Sequence, residues 1–212
     1  MKYAIFLLAA LPAFSQMMGM RPPEIPGMFH PVVGSGAEYH ISTARQPNAT
    51  FTFVIVGQEA DGYWMEIRTS NNGNAVVMKQ LMAGEPPKPT RMIIQANGRP
   101  PMEMPMSMMS MGRNPAGAHA AGEVTGGGGT GAGMGAKVGT ESVTVPGGTF
   151  ECDHYSSDSN GKHSDLWIST KVSPYGLVKL TSADTHMELQ KVLEHETSQI
   201  KGEPMKMNIP GR

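Results

Sequence analysis

The chain has a single cysteine, Cys152, in 212 residues. One cysteine cannot close an internal disulfide, whatever the compartment allows. It lies in a run that alternates like a strand, which predicts a small buried apolar side chain rather than a reactive or metal-binding thiol. Apolar residues are also scarce, at 39%, while the chain holds 26 glycines and 17 prolines. Part of it is therefore expected not to pack. Neither sign of charge dominates: 17 Lys and Arg face 18 Asp and Glu, for a net charge of −1. Without a basic field to condense onto phosphates, a nucleic-acid partner is disfavoured.

Long apolar runs are missing as well. Ala4 to Leu11 is apolar but too short to span a bilayer. Lys2 precedes it, Pro12 breaks it, and Ala13-Phe14-Ser15 places small residues where a signal peptidase reads. Residues 1–15 are expected to be a signal peptide, cleaved after Ser15, and the product periplasmic or secreted rather than membrane-spanning. Residues 16–36, rich in Pro and Met and without periodicity, read as an extended, poorly ordered lead-in.

What remains is strand after strand. Tyr39 and Ile41 alternate with polar neighbours, and Phe51, Phe53 and Ile55 recur at spacing two. In the next run Trp64, Glu66 and Arg68 share one side, and Tyr63, Met65 and Ile67 the other. Asn71-Asn72-Gly73-Asn74 is a hairpin signal, because Asn and Gly accept positive φ. Strands follow over 75–82 and 91–96. Residues 112–136 are mostly Gly and Ala, and such chain buries too little side chain to offset its ordering entropy. This stretch is expected to be a flexible insertion between two halves of one β domain, 37–111 and 137–212. The second half alternates through 139–145, 149–156, 164–171, 177–181 and 185–192, and Leu193 to Ile200 reads as a short helix. About ten short strands with minor helix make an all-β fold. Such a set must become a strongly curved antiparallel sheet or a half-open β-barrel, or leave its edges exposed.

Val145-Pro146-Gly147-Gly148-Thr149-Phe150-Glu151-Cys152, then Leu166-Trp167-Ile168-Ser169, Tyr175 to Leu180, and Met187-Glu188-Leu189 follow one another in an order that carries a resemblance. The chain resembles periplasmic families of unassigned activity related to the lipoprotein-carrier (LolA/LolB-like) superfamily. The match covers 138–193 well and 37–96 only as a general strand pattern. It implies a curved antiparallel sheet whose concave face holds lipid chains. The large side chains Trp64, Phe150, Trp167, Leu177 and Leu189 are then the ligand-binding candidates, with a lipid or lipidated protein as partner. Plain core packing is the competing role for each.

The sharpest chemical signal is six methionines within Pro100 to Met111: Met102, Met104, Met106, Met108, Met109 and Met111. Thioether sulfur is a soft ligand suited to Cu(I). Methionine is also adaptable apolar filler, so both readings stand. The seven histidines show no metal spacing, although His154 follows Cys152 by two on the same strand face. Gly126 to Gly135 lacks the Lys-Ser/Thr of a phosphate loop, and no Ser sits in a nucleophile elbow. The expectation is an exported, non-enzymatic binding protein that takes an apolar, lipid-like ligand or a protein segment on its concave face. The alternative is a periplasmic Cu(I)-binding protein, with copper as its only cofactor.

Overall fold

The computed structural model describes residues 29–44, 48–60, 62–71, 74–104, 135–159 and 161–206. The expected signal peptide, most of the expected lead-in, the Gly-rich stretch as far as 134, and Met106, Met108, Met109 and Met111 lie outside the described residues. Within them the protein is all-β. Its strands are β1 (Gly36–Thr43), β2 (Ala49–Glu59), β3 (Gly62–Asn71), β4 (Asn74–Ala83), β5 (Lys88–Ala96), β6 (Met102–Met104), β7 (Ala136–Val145), β8 (Gly148–Ser159), β9 (Lys162–Ile168), β10 (Leu177–Ser182), β11 (Thr185–Leu193) and β12 (Met205–Lys206).

All twelve form one unclosed sheet, in the order β12-β6-β5-β4-β3-β2-β1-β11-β10-β9-β8-β7. Two meanders, β1 to β6 and β7 to β11, are joined where β1 pairs with β11, Tyr39 opposite Leu189 and Ile41 opposite Met187. Every pairing is antiparallel except β12 with β6. Such a succession of hairpins needs only short turns, which the Gly, Asn and Pro positions supply. The β3–β4 register pairs Asn71 with Asn74, as the hairpin signal requires.

One face of the sheet carries the core. Tyr39, Phe53, Ile55, Met65 and Ile67 meet Phe150, Leu177, Met187 and Leu189 there. Alternation on β3 is as read: Met65 and Ile67 are buried in this core, while Glu66 and Arg68 face away from it. The β9–β10 connection folds over the same face. Its Tyr175 ring packs against Phe53 at 6.1 Å and Phe29 at 5.5 Å, and its hydroxyl donates to Met65 Sδ at 3.3 Å. Tyr39, wholly buried, donates to the Leu177 carbonyl at 2.9 Å. At about 1.5–3 kcal/mol for each large apolar side chain removed from water, this cluster dominates the stability of the fold. The sheet also bends back on itself. The Gly147 N–H at the β7–β8 turn donates to the Leu189 carbonyl on β11 at 3.1 Å, although β7 and β11 stand at opposite ends of a five-strand run. A Cβ at Gly147 would lie 2.8 Å from Leu189 Cγ, so this approach requires glycine.

Three expectations are corrected. Residues 194–200 are not helical. They run extended across the face opposite the core, because their side chains and amides are engaged by Glu66 and Arg68 rather than by an i, i+4 ladder. The lead-in is docked from Phe29 onward: the His30 N–H donates to the Pro174 carbonyl at 2.8 Å, and the Gly34 N–H to Ile55 at 2.7 Å. β9 stops at Ile168 rather than 171.

Candidate functional site

The face away from the core carries the more unusual chemistry. Glu66, on β3, has a side chain with no exposed surface. Its carboxylate accepts from Arg68 Nε at 2.9 Å, Ser198 Oγ at 2.6 Å and the Gln199 amide at 2.9 Å. Arg68 in turn reaches Glu196 at 2.7 Å and the Thr197 carbonyl at 2.8 Å. A buried charge must be paired and hydrogen-bonded to be tolerated, and the segment 194–201 supplies those partners. It acts as a strap, tied further by Glu196 N–H to the Gly34 carbonyl and Lys201 N–H to Gln95 Oε1, before ending in β12. Beside it lies an open groove of about 450 Å³, lined by Glu38, Thr50, Thr52, Ser70, Val77 and Lys191 among others. Hydroxyls, two acids (Glu38 and Glu196), two bases (Arg68 and Lys191) and a few aliphatic carbons make a mixed lining, suited to an extended backbone more than to a hydrocarbon chain.

The ligand-binding candidates divide between environments. Leu177 and Leu189 are fully buried, and Phe150 nearly so, all within the core cluster. These three come together, already packed by the chain's own Tyr39, Tyr175 and Val172. Trp167 is half-buried and packs against the same cluster, whereas Trp64 lies outside it. Trp64 is nearly buried beneath Lys79 and Arg91, whose charges lie 4.8 and 5.2 Å from its ring centre, and donates to Glu59 at 2.8 Å. Trp167 stacks on His154 at 4.5 Å and 16°, and donates to Glu141 at 2.6 Å.

His154 shares its strand face with Cys152, yet the two make no catalytic pair. Both imidazole nitrogens are engaged, Nδ1 by Glu141 at 3.1 Å and Nε2 by Asp165 at 2.9 Å. Cys152 is buried and donates to the Phe150 carbonyl at 3.6 Å. Burial, then the charges of Glu141, Asp153 and Glu151, push its thiol up to about 11. It is a neutral thiol at physiological pH, without the thiolate that nucleophilic chemistry needs. Asp165 is pushed up by burial, but the His154 hydrogen bond and the neighbouring His163 outweigh that and hold it below the ordinary carboxylate value. His163, between Asp158 at 2.9 Å and Asp165 at 3.1 Å, is raised by the Asp158 hydrogen bond and the Asp165 charge. Among the described residues, no group of three or more His, Cys, Asp and Glu side chains is placed to hold a metal ion. Nor is any described helix long and apolar enough to cross a membrane, which leaves β-barrel spans unaddressed.

Of the six methionine-run candidates, the described residues include Met102 and Met104, paired across to Ile94 and Met92 of β5. Sequence reasoning missed the strap, because it read 193–200 as helix. The signal was present on β3, where an acid and a base recur at spacing two on the face opposite Met65 and Ile67.

These features define an all-β protein of one unclosed sheet with a strapped, grooved outer face. The chain matches no known protein-family model, and no curated protein is significantly similar to it.

Proposed function

We propose that this is an exported, non-enzymatic binding protein that holds an extended protein segment along its curved sheet. One observation carries the reading: the polar groove on the outer face, bordered by an extended stretch of the chain's own backbone. The strap supports this reading, since an extended segment of the chain itself is held there by one buried carboxylate and one guanidinium. The inner face favours a segment over a lipid chain as well. Its large apolar candidates, Leu177, Leu189 and Phe150, already pack against side chains of this chain. The likeness to the lipoprotein-carrier superfamily belongs to this proposal as an account of the sheet's curvature, with a lipid as the competing ligand. The Lys2 to Ser15 pattern supports export to the periplasm or beyond.

A photo-crosslinking residue placed at Thr52 or Val77, with one at Thr140 on β7 as control, tests the reading in the native envelope. The expected result is a peptide adduct at Thr52 and Val77 and none at Thr140. A lipid adduct at the groove would replace a segment-binding protein by a lipid carrier. No adduct at either groove position would refute binding there.

A further inference from the structure

The core face of β3 to β6 is unusually rich in thioether. The β3–β4 and β4–β5 registers set Met65, Gln80 and Met92 in one row, and β5–β6 extends that row to Met104. The neighbouring row runs Ile67, Met78, Ile94, Met102. Directly opposed side chains in an antiparallel pair have Cβ atoms about 4.5–5.5 Å apart, so Met92 and Met104 are neighbours. Met92, Ile94 and Met104 form a buried cluster separate from the main core, with Met78 and Val76 packed against it.

Gln80 adjoins this cluster, opposite Met92, and is itself buried. Its amide nitrogen donates to two sulfurs, Met78 Sδ at 3.5 Å and Met92 Sδ at 3.7 Å. Thioether is a weak acceptor, so a buried amide gains little from such partners. The geometry nonetheless brings two sulfur lone pairs onto a single point, occupied by the positive end of a dipole. A third thioether, Met104, lies across the strand pair from Met92.

We infer that Met78, Met92 and Met104 form a soft-cation site, for Cu(I) or its analogue Ag(I), at the place where the Gln80 amide nitrogen now lies. The inference stands independently of segment binding. Three neutral thioethers and no carboxylate in the cluster suit a soft monovalent ion and reject Ca²⁺ or Mg²⁺, which demand oxygen. Flexible methionine side chains close around the ion as the Gln80 amide swings aside. Ile94 and Val76 supply an apolar wall that limits access of water. This site differs from the Met102 to Met111 run and shares only Met104 with it.

The test is a competition titration of the chain from Gln16 onward, anaerobic and reduced, with Cu(I) buffered by a chromogenic chelator. Ag(I) serves as a redox-inert second probe, read by the methyl resonances of Met78, Met92 and Met104. The wild type is expected to withdraw one equivalent of Cu(I). Combined Met78→Leu, Met92→Leu and Met104→Leu abolishes this, and far-UV circular dichroism checks the fold. Should the triple variant not fold, each single substitution is expected to weaken binding by at least about tenfold, since even outer-shell changes weaken metal sites that much. Leucine at Met106, Met108, Met109 and Met111 leaves the affinity unchanged. The site is refuted if the wild type withdraws no Cu(I), if folded Leu variants bind as the wild type does, or if only the run variant loses binding.

Discussion

Replacing Glu66 by alanine tests the strap. The carboxylate, fully buried, accepts three hydrogen bonds, from Arg68, Ser198 and the Gln199 amide. Hydrogen bonds to charged groups contribute about 1.5–3 kcal/mol each. They do not simply sum, because Ser198 and Gln199 regain water once the strap lifts. Arg68 also keeps Glu196 while the strap remains in place. Breaking one partner of a buried ion pair costs about 3–5 kcal/mol, which bounds the effect. A chain of this size loses about 2–4 °C per kcal/mol, so Glu66→Ala should melt about 6–20 °C below wild type. Glu196 is partly exposed, and Glu196→Gln should cost only about 0.2–1 kcal/mol. Hydrogen exchange read by mass spectrometry localises the loss. The amides of 194–201 should lose protection in Glu66→Ala while β1, β10 and β11 keep theirs. A variant that melts within about 2 °C of wild type, or a strap equally protected, would refute the assignment of Glu66 as its anchor.

Three other outcomes follow from the same geometry. Gly36→Ala places a Cβ 2.3 Å from the Phe53 carbonyl oxygen and 2.9 Å from Val54 Cα. Neither backbone atom can retreat without breaking the β1–β2 ladder, so a loss of about 1–3 kcal/mol is expected, and an unchanged thermal midpoint would contradict it. Cys152 should resist iodoacetamide at pH 8 in the folded protein and react at once in guanidinium, because its thiol is buried and pushed up to about 11. Rapid labelling of the native chain would overturn that. His163 should titrate above its ordinary value of 6.5 by proton NMR, and Asp158→Asn should lower the midpoint. The folded state holds this proton more tightly than the unfolded state, so its contribution is complete in acid and is lost as pH rises through the folded midpoint. Asp165 runs the opposite way: its depressed carboxyl stabilises above the ordinary carboxylate range and loses that contribution as pH falls through the folded value. A His163 midpoint at or below 6.5 would refute the pairing with Asp158 and Asp165.

Most of the strand inventory was readable from alternation, because a half-buried strand must place apolar groups on one side only. Phe53 with Ile55, Met65 with Ile67, and Phe150 with Cys152 all face the core as their spacing predicts. The 193–200 stretch misled for a physical reason. Leu193, Ile200 and the polar residues between them suit a short helix as well as an extended strap. The choice fell to Glu66 and Arg68, more than a hundred residues away in sequence. The ligand candidates were chosen by size and apolarity, which do not separate a core side chain from a binding one. Leu177 and Leu189 went to the core, and Trp64 went to the opposite face beneath Lys79 and Arg91.

Local pattern alone therefore determined that this chain is all-β, that its strands are joined by tight turns, and which side of each strand faces inward. These properties depend on neighbours one to four residues away. Only the tertiary structure decided that β1 and β11 join two meanders into a single sheet, that 194–201 becomes a strap on a buried carboxylate, and that Met78 and Met92 meet at the Gln80 amide with Met104 across from Met92. Those outcomes depend on inter-strand register and on which distant groups meet. A strand's own periodicity carries no information about the partner it will find.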